Sequence, residues 1–401
     1  MTSKSWSKRS ARACGIISLL ALGPGARAAA QPVPAVALID AADAPQWQTW
    51  TKDLGWRVLV PTFPAGAPAN PPIDMRVQAI AAAVGAAIQD GSVDAAHVYL
   101  AGRGEAAAAV FYTISRVPDL WAGGVALGGS AQQAIDSGRI FAVNFSNAPV
   151  LWISNGPQDR ALAERLKGDG LNIEWRSTEG LPNSAVFEWL DKRRRDPFPA
   201  EIDCETNSPN FARCYWIQMD KFDTGELNDV LPPTFLKPEI VASLELGSFS
   251  YNRDDPGPGV LVNLPDKYTG PLKKGDRLVA IDGREVADAH AYTALMAKVT
   301  GEKSAAVMVQ RGKERVRIET RFSLPHVEAP MTARVQAKYE AADNDIVIAS
   351  RTVKELRVTI PPQWAMGTRL YWNGLVLENI QTPGCLALTI DKELMHAQKC
   401  P

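Results

Sequence analysis

Val98-Tyr-Leu-Ala-Gly-Arg-Gly-Glu-Ala-Ala-Ala-Ala-Val110 is the stretch that decides the fold. Four apolar residues, Val98 to Ala101, have the length and composition of a buried strand. They run into Gly102-Arg103-Gly104-Glu105-Ala106, where two glycines permit a sharp reversal. An alanine-rich helix follows directly. Strand, tight turn and helix in immediate succession make the unit from which parallel sheets are built. The crest of this turn is Gly104, which carries no side chain.

Outward from this unit the pattern repeats. Short apolar runs stand at Ala35 to Ile39, Arg57 to Val60, Gly124 to Leu127, Val150 to Ile153 and Asn172 to Trp175. Helical stretches lie between several of them, including Asp74 to Asp90 and Ala161 to Lys167. Apolar strands alternating with helices predict an α/β fold, a doubly wound, mostly parallel sheet covered on both faces. Asn183 to Arg195 reads as a last amphipathic helix, with Asn183 or Ser184 as its cap. Its basic run Lys192 to Arg195 suits a helix C-terminus. Asp196-Pro-Phe-Pro199 breaks that helix and marks a boundary.

After Pro199 the pattern is β. Glu201 to Met219 alternates and reads as a hairpin turning at Asn207 to Asn210, with Cys204 facing Cys214 across it. Residues 223–243 read as a linker, rich in proline and polar residues. Strands return at Thr332 to Glu340, Asp345 to Ser350, Glu355 to Ile360, Arg369 to Trp372 and Leu375 to Ile380. Asn373-Gly374 is a two-residue hairpin turn.

Composition narrows the function. The 401 residues carry 43 Lys and Arg against 44 Asp and Glu, a net charge of −1 with the signs mixed. That gives no basic footprint for nucleic acid. Residues 1–30 read as a cleavable secretory signal: a basic start, a short apolar run from Cys14 to Gly23, then Ala-x-Ala sites ending at Ala28 and Ala30. No apolar run is long enough to span a bilayer, so no stable membrane insertion is expected after cleavage. Four cysteines then remain, and an even number in an exported chain favours disulfides. Proximity pairs Cys204 with Cys214 and Cys385 with Cys400. Each bridge would contribute about 3 kcal/mol in the chain-entropy account. Without C-x-x-C or neighbouring His pairs, no metal site is expected, and no cofactor is implied.

The segment Gly102 to Ala106, its flanks, and Ala148 to Asp159 resemble the α/β-hydrolase superfamily, in particular its secreted esterase and peptidase-like branch, over roughly Pro34 to Pro199. The resemblance makes Gly102 to Ala106 a degenerate nucleophile elbow, G-x-S-x-G in active members. It places Gly104 where the serine stands and Asp159 where the triad acid stands. The histidine would fall near Gly180-Leu181-Pro182, and none is there. His97 begins the elbow strand, and five strand residues span about 17 Å, out of reach of the turn. Losing nucleophile or base alone removes about 10⁶-fold in turnover. Glu105 holds the position whose N–H would serve an oxyanion, and its carboxylate would oppose that charge. An alternative hydrolase site would draw on Ser115, Ser130 or Ser154 with Asp159 or Glu105.

Gly257 to Pro265 and Gly270 to Val286 resemble a PDZ domain of the bacterial, HtrA-like kind over about Leu244 to Leu324. The matching residues are Gly259-Val-Leu-Val262 and Leu272-Lys-Lys-Gly-Asp-Arg-Leu-Val-Ala-Ile-Asp-Gly-Arg-Glu-Val286. The resemblance implies a peptide groove between a strand over Phe249 to Tyr251 and a helix over Asp288 to Thr300. It implies a carboxylate loop at Leu246-Gly247-Ser248-Phe249, where Ser248 replaces the usual second apolar residue. Tyr251, His290 and Thr293 would touch the ligand.

The expected division is a signal over 1–30, an α/β-hydrolase-like domain over 31–199, the first part of a β module over 200–222, a linker over 223–243, a PDZ domain over 244–325 and a C-terminal antiparallel β module over 326–401. The expected function is non-catalytic: an exported protein that binds peptides or partner proteins. The alternative is a serine-type esterase or peptidase using another site. Trp216, Trp364, Tyr371 and Trp372 read as core or sheet-face aromatics.

Overall fold

The computed structural model describes residues 31–225, 230–238, 242–252, 255–324, 330–364, 367–381, 383–392 and 394–400. The expected signal over 1–30 lies outside the described residues. Six parallel strands form the first sheet: β1 Val33–Leu38, β2 Arg57–Leu59, β3 Val93–Arg103, β4 Gly123–Leu127, β5 Val150–Ile153 and β6 Ile173–Arg176. Their order is β2-β1-β3-β4-β5-β6. The expected parallel α/β sheet is therefore present. Its helices are α1 Ala44–Thr51, α2 Ile73–Gln89, α3 Ala106–Arg116, α4 Gln132–Asp136, α5 Pro157–Gly168 and α6 Asn183–Asp191.

Strand alternation feeds two cores. Ala35, Ala37, Val98, Leu100, Val150 and Trp152 pack with residues of α2, α3 and α5 on one face. Val36, Leu38, Tyr99, Ala101, Leu151 and Ile153 pack with Trp47 of α1 and Phe187 and Leu190 of α6 on the other. Both faces are buried, which is why the strands read as continuous apolar runs. Strand β3 starts at Val93, five residues before the apolar run that betrays it, because Asp94 and His97 lie only partly buried at its outer end. The last helix ends at Asp191, so the basic run follows it instead of forming its last turn; Arg193 still donates to the Trp189 carbonyl at 2.6 Å and lies 3.4 Å over the Trp189 ring.

The chain from Glu201 onward is mostly antiparallel β, with one parallel pair, Asp345–Arg351 beside Thr368–Trp372, and one α-helix among the described residues. The strands are β7 Glu201–Thr206, β8 Arg213–Cys214, β9 Ile217–Phe222, β10 Ser243–Leu244, β11 Val260–Leu261, β12 Arg277–Ile281, β13 Arg284–Glu285, β14 Lys303–Arg311, β15 Glu314–Ser323, β16 Ala333–Glu340, β17 Asp345–Arg351, β18 Val353–Ile360, β19 Thr368–Trp372, β20 Leu375–Ile380, β21 Gly384–Asp391 and β22 Leu394–Lys399. One sheet runs β10-β15-β14-β12-β11 and packs against α7 Ala289–Met296 around its own core. Asp288 caps α7 by accepting the Ala291 N–H at 2.7 Å. In this sheet Asp276 is fully buried, which pushes its carboxyl up. The paired hydrogen bonds from Arg311 and the Lys273 N–H outweigh that and hold it below its ordinary range.

The other two sheets run β20-β19-β17-β16-β7 and β22-β21-β18-β9-β8 and share a core built on Trp216, Trp364 and Trp372. Here the structure corrects the expected hairpin. Strand β7 pairs with β16 and β8 pairs with β9, so the two lie in different sheets. The Cys204–Cys214 disulfide joins one sheet to the other, and Cys385 is bonded to Cys400. A 3₁₀ turn at Pro209–Phe211 carries the chain across, and its Phe211 lodges in the core of the first domain. Strands β21 and β22 gave no sequence signal, because most of their side chains are exposed or half-buried.

The stretch expected as a linker is fastened down where it is described. Leu231 and Leu236 are buried, Phe235 bridges to Phe141, and the Leu236 N–H donates to the Ile140 carbonyl at 2.7 Å. Its carbonyls at Leu231 and Pro232 accept from Arg351 and Arg334. No described helix is long and apolar enough to cross a membrane.

Candidate functional site

The turn after β3 has the geometry of an elbow. Gly104 sits at φ +55°, its N–H donates to the Leu127 carbonyl at 2.8 Å, and its carbonyl accepts the Ala107 N–H at 3.1 Å. A Cβ on Gly102 would overlap the carbonyl oxygen of Ala106, and one on Gly129 would overlap that of Gly104. These glycines let β3, α3 and the loop after β4 approach closely. A Cβ on Gly104 itself would meet nothing within 4 Å. The position is open, and it holds no nucleophile. Glu105 caps α3 in helical geometry, exposed, with no capping bond from its side chain. Beside the turn, the Arg103 N–H donates to Asp43 at 3.2 Å. Burial raises the Asp43 carboxyl above its ordinary range against the pull of that contact.

Asp159 lies in the first turn of α5, where a carboxylate complements the helix dipole. The loop where the resemblance would put a histidine holds Asn155 against Thr178 instead, the Thr178 N–H donating at 3.0 Å. His97 is bonded to Asp94 at 2.6 Å. It stands six residues before the end of β3, about 20 Å away at strand rise. Two of the alternative serines are structural. Ser115 is buried and bonds Arg139 and Phe141, and Ser154 is buried and accepts the Trp175 indole N–H at 3.0 Å. Gly104→Ser therefore places a hydroxyl in open space with no base in reach. Expected esterase turnover stays at the background rate, measured with aryl esters, although the variant folds.

Ser130 differs. It follows β4 and lines a cleft of about 1190 Å³ together with Asp159, His290 and Thr293. Sequence order hides this meeting, because His290 comes from α7, far along the chain from Ser130 and Asp159. No hydrogen bond joins Ser130, Asp159 and His290 among the described residues; Ser130 Oγ accepts the Gln132 N–H at 3.3 Å.

The second site lies between residues 247–251 and α7. A cavity of about 520 Å³ is lined by Gly247, Ser248, Phe249, Tyr251, Tyr292 and Met296, among others. Leu246 is buried, and its carbonyl accepts the Tyr268 hydroxyl. Gly247 is at φ +81°, with the Tyr268 ring 2.9 Å from where a Cβ would stand, so only glycine fits. The N–H groups of Gly247, Ser248 and Phe249 have no backbone acceptor among the described residues. The strand expected over Phe249 to Tyr251 is reduced to one isolated bridge: Ser250 exchanges both backbone bonds with Asn263, at 2.9 and 2.7 Å. Burial pushes the Tyr292 hydroxyl well up, so it stays neutral. Of the residues singled out in the sequence, Gly247, Ser248, Phe249 and Tyr251 line this groove. Leu246 lies beneath it, Thr293 touches it through Tyr251, and His290 faces the other cleft. Among the described residues, no cluster of three or more His, Cys, Asp or Glu could hold a metal.

No known family and no curated protein sequence matches this chain. Among solved structures it is similar to SOBER1 of Arabidopsis thaliana, at 17% identity over 40% of this chain and 98% of that one, with TM-score 0.31. It is similar to a bacterial heroin esterase at 12% identity, over 40% and 74% of the two chains, TM-score 0.32. It is likewise similar to FphF of Staphylococcus aureus, a fluorophosphonate-binding serine hydrolase, at 12% identity over 42% and 86%, TM-score 0.31.

Proposed function

We propose that this is an exported protein that binds rather than catalyses. In this reading a PDZ-like domain over 244–325 takes the C-terminal end of an extended peptide or partner protein, beside an α/β-hydrolase-like frame that has lost its nucleophile. The observation that carries the reading is the loop Leu246 to Phe249. Its residues Gly247, Ser248 and Phe249, whose N–H groups have no backbone acceptor among the described residues, line a groove flanked by a helix. Strand addition between such a segment and a helix supplies main-chain bonds, and backbone N–H groups suit a terminal carboxylate. Two disulfides are compatible with export.

A display screen of free C-terminal peptides on the mature protein tests this. Phe249→Ala and Met296→Ala should each weaken the selected peptide about tenfold, the loss of roughly 1.4 kcal/mol of apolar burial. Amidating the peptide terminus should weaken it at least as much. A screen that returns no ligand sinks the reading.

A second reading rests on the cleft, which gathers Ser130, Asp159 and His290 at the carboxyl ends of parallel strands, where doubly wound sheets bind ligands. Those are the side-chain types of acyl transfer. A fluorophosphonate that labels the protein, with labelling lost in Ser130→Ala, establishes this hydrolase. Absence of labelling leaves binding as the function.

A further inference from the structure

The groove is open at one end and bridged at the other. Toward one end, Gly247, Ser248 and Phe249 line the cavity, and their N–H groups have no backbone acceptor among the described residues. At the other end the side chain of Tyr251 crosses from this segment to α7. Its ring packs edge-on against Tyr292, with centroids 5.2 Å apart and an interplanar angle of 80°. Its hydroxyl lies 3.3 Å from Thr293 Oγ1. Thr293 donates its only proton to the Ala289 carbonyl at 2.9 Å, so Tyr251 is the donor in this pair. Tyr292 is 5% exposed and forms part of the domain core, which gives the bridge a fixed abutment.

A ligand strand has to lie in the gap that Tyr251 spans. Gly247 and Tyr251 are four positions apart, with Ser248, Phe249 and Ser250 between them, at most about 13 Å of chain, room for two or three ligand residues behind a terminal carboxylate. We infer that Tyr251, bridging the 247–251 segment to Tyr292 and Thr293, closes the groove and limits its ligand to the last two or three residues of a chain. The inference rests on the peptide-groove reading above and narrows it. The site recognises a chain end, with little main-chain pairing beyond it. Tyr251 is thus a specificity-determining residue, and Thr293 holds it in place.

A nested series of acetylated peptides tests this. The series shares one C-terminal sequence ending in an apolar residue, has free carboxyls and runs from two to seven residues. Affinity is read by calorimetry on the full mature chain. For the wild type, affinity should stop rising beyond three residues. In Tyr251→Ala it should continue to rise, by at least tenfold between three and six residues. Tyr251→Phe keeps the ring on Tyr292 but frees it from Thr293, and Thr293→Ala removes the acceptor. Both should show a partial rise in a domain whose packing is unchanged, which guards against a folding defect in the alanine variant. Wild-type affinity that grows with length as steeply as in Tyr251→Ala overturns the inference while leaving the groove reading intact. Failure of every length to bind either protein overturns the groove reading and the inference together.

Discussion

Glu205→Ala should destabilise the protein by about 3–5 kcal/mol, the loss expected when one member of a buried ion pair is removed. Glu205 is 1% exposed on β7. Its carboxylate accepts the Thr234 N–H at 2.7 Å, the Thr234 hydroxyl at 2.6 Å, the Thr332 hydroxyl and Arg351 at 3.0 Å. The Arg351 side chain is itself buried and would be left with the Leu231 carbonyl and the Thr332 hydroxyl as acceptors, and no counter-charge. The Glu205 backbone exchanges two bonds with the Asn144 side chain, which follows β4 of the parallel sheet, at 2.8 Å each. This one carboxylate therefore ties the Leu231 to Thr234 stretch to the sheet that carries β7, while its backbone ties that sheet to the α/β domain. Urea unfolding followed by tryptophan fluorescence measures the loss. Glu205→Gln keeps the acceptor oxygen and should lose less. A midpoint for Glu205→Ala within error of the wild type would refute the assignment.

Gly102→Ala should cost about 3 kcal/mol or more and prevent the first domain from packing. The added Cβ would overlap the Ala106 carbonyl oxygen and stand 2.8 Å from its carbonyl carbon and 3.1 Å from Val110 Cγ2. The first two obstacles are backbone of the first turn of α3, which cannot swing aside as a side chain can. Gly104→Ala offers the internal contrast. Its φ of +55° strains an alanine, but the space is open. About 1–2 kcal/mol is the expected cost there. Near-ultraviolet circular dichroism and limited proteolysis of the two variants side by side read the difference. Equal stability would mean that the turn is looser than its geometry.

The elements of the α/β domain were legible because each rests on local physics. Period-two alternation sends Val36 to one core and Ala37 to the other, and the apolar runs record both. Turn chemistry was equally local. Asp282-Gly283 and Asn373-Gly374 adopt positive φ at both positions, as two-residue hairpins require. Proximity along the chain sufficed to pair the cysteines, across separations of 10 and 15 residues. It did not show that Cys204 and Cys214 stand in different sheets, because sheet membership depends on β16 and β18, more than a hundred residues away.

The sites divide the same way. The missing side chain at Gly104 and the glycine of the groove loop are properties of single positions, and the sequence by itself determined them. Tertiary structure alone decided that His290 turns away from the groove to share a cleft with Ser130 and Asp159. It alone decided that the proline-rich stretch after Phe222 is anchored by Arg334, Arg351 and Glu205. It alone laid Tyr251 across to Thr293. Periodicity and turn propensity act over a few residues and specify which element forms and which face is buried. Which faces then meet is settled by packing between segments far apart in the chain, and no local pattern encodes that.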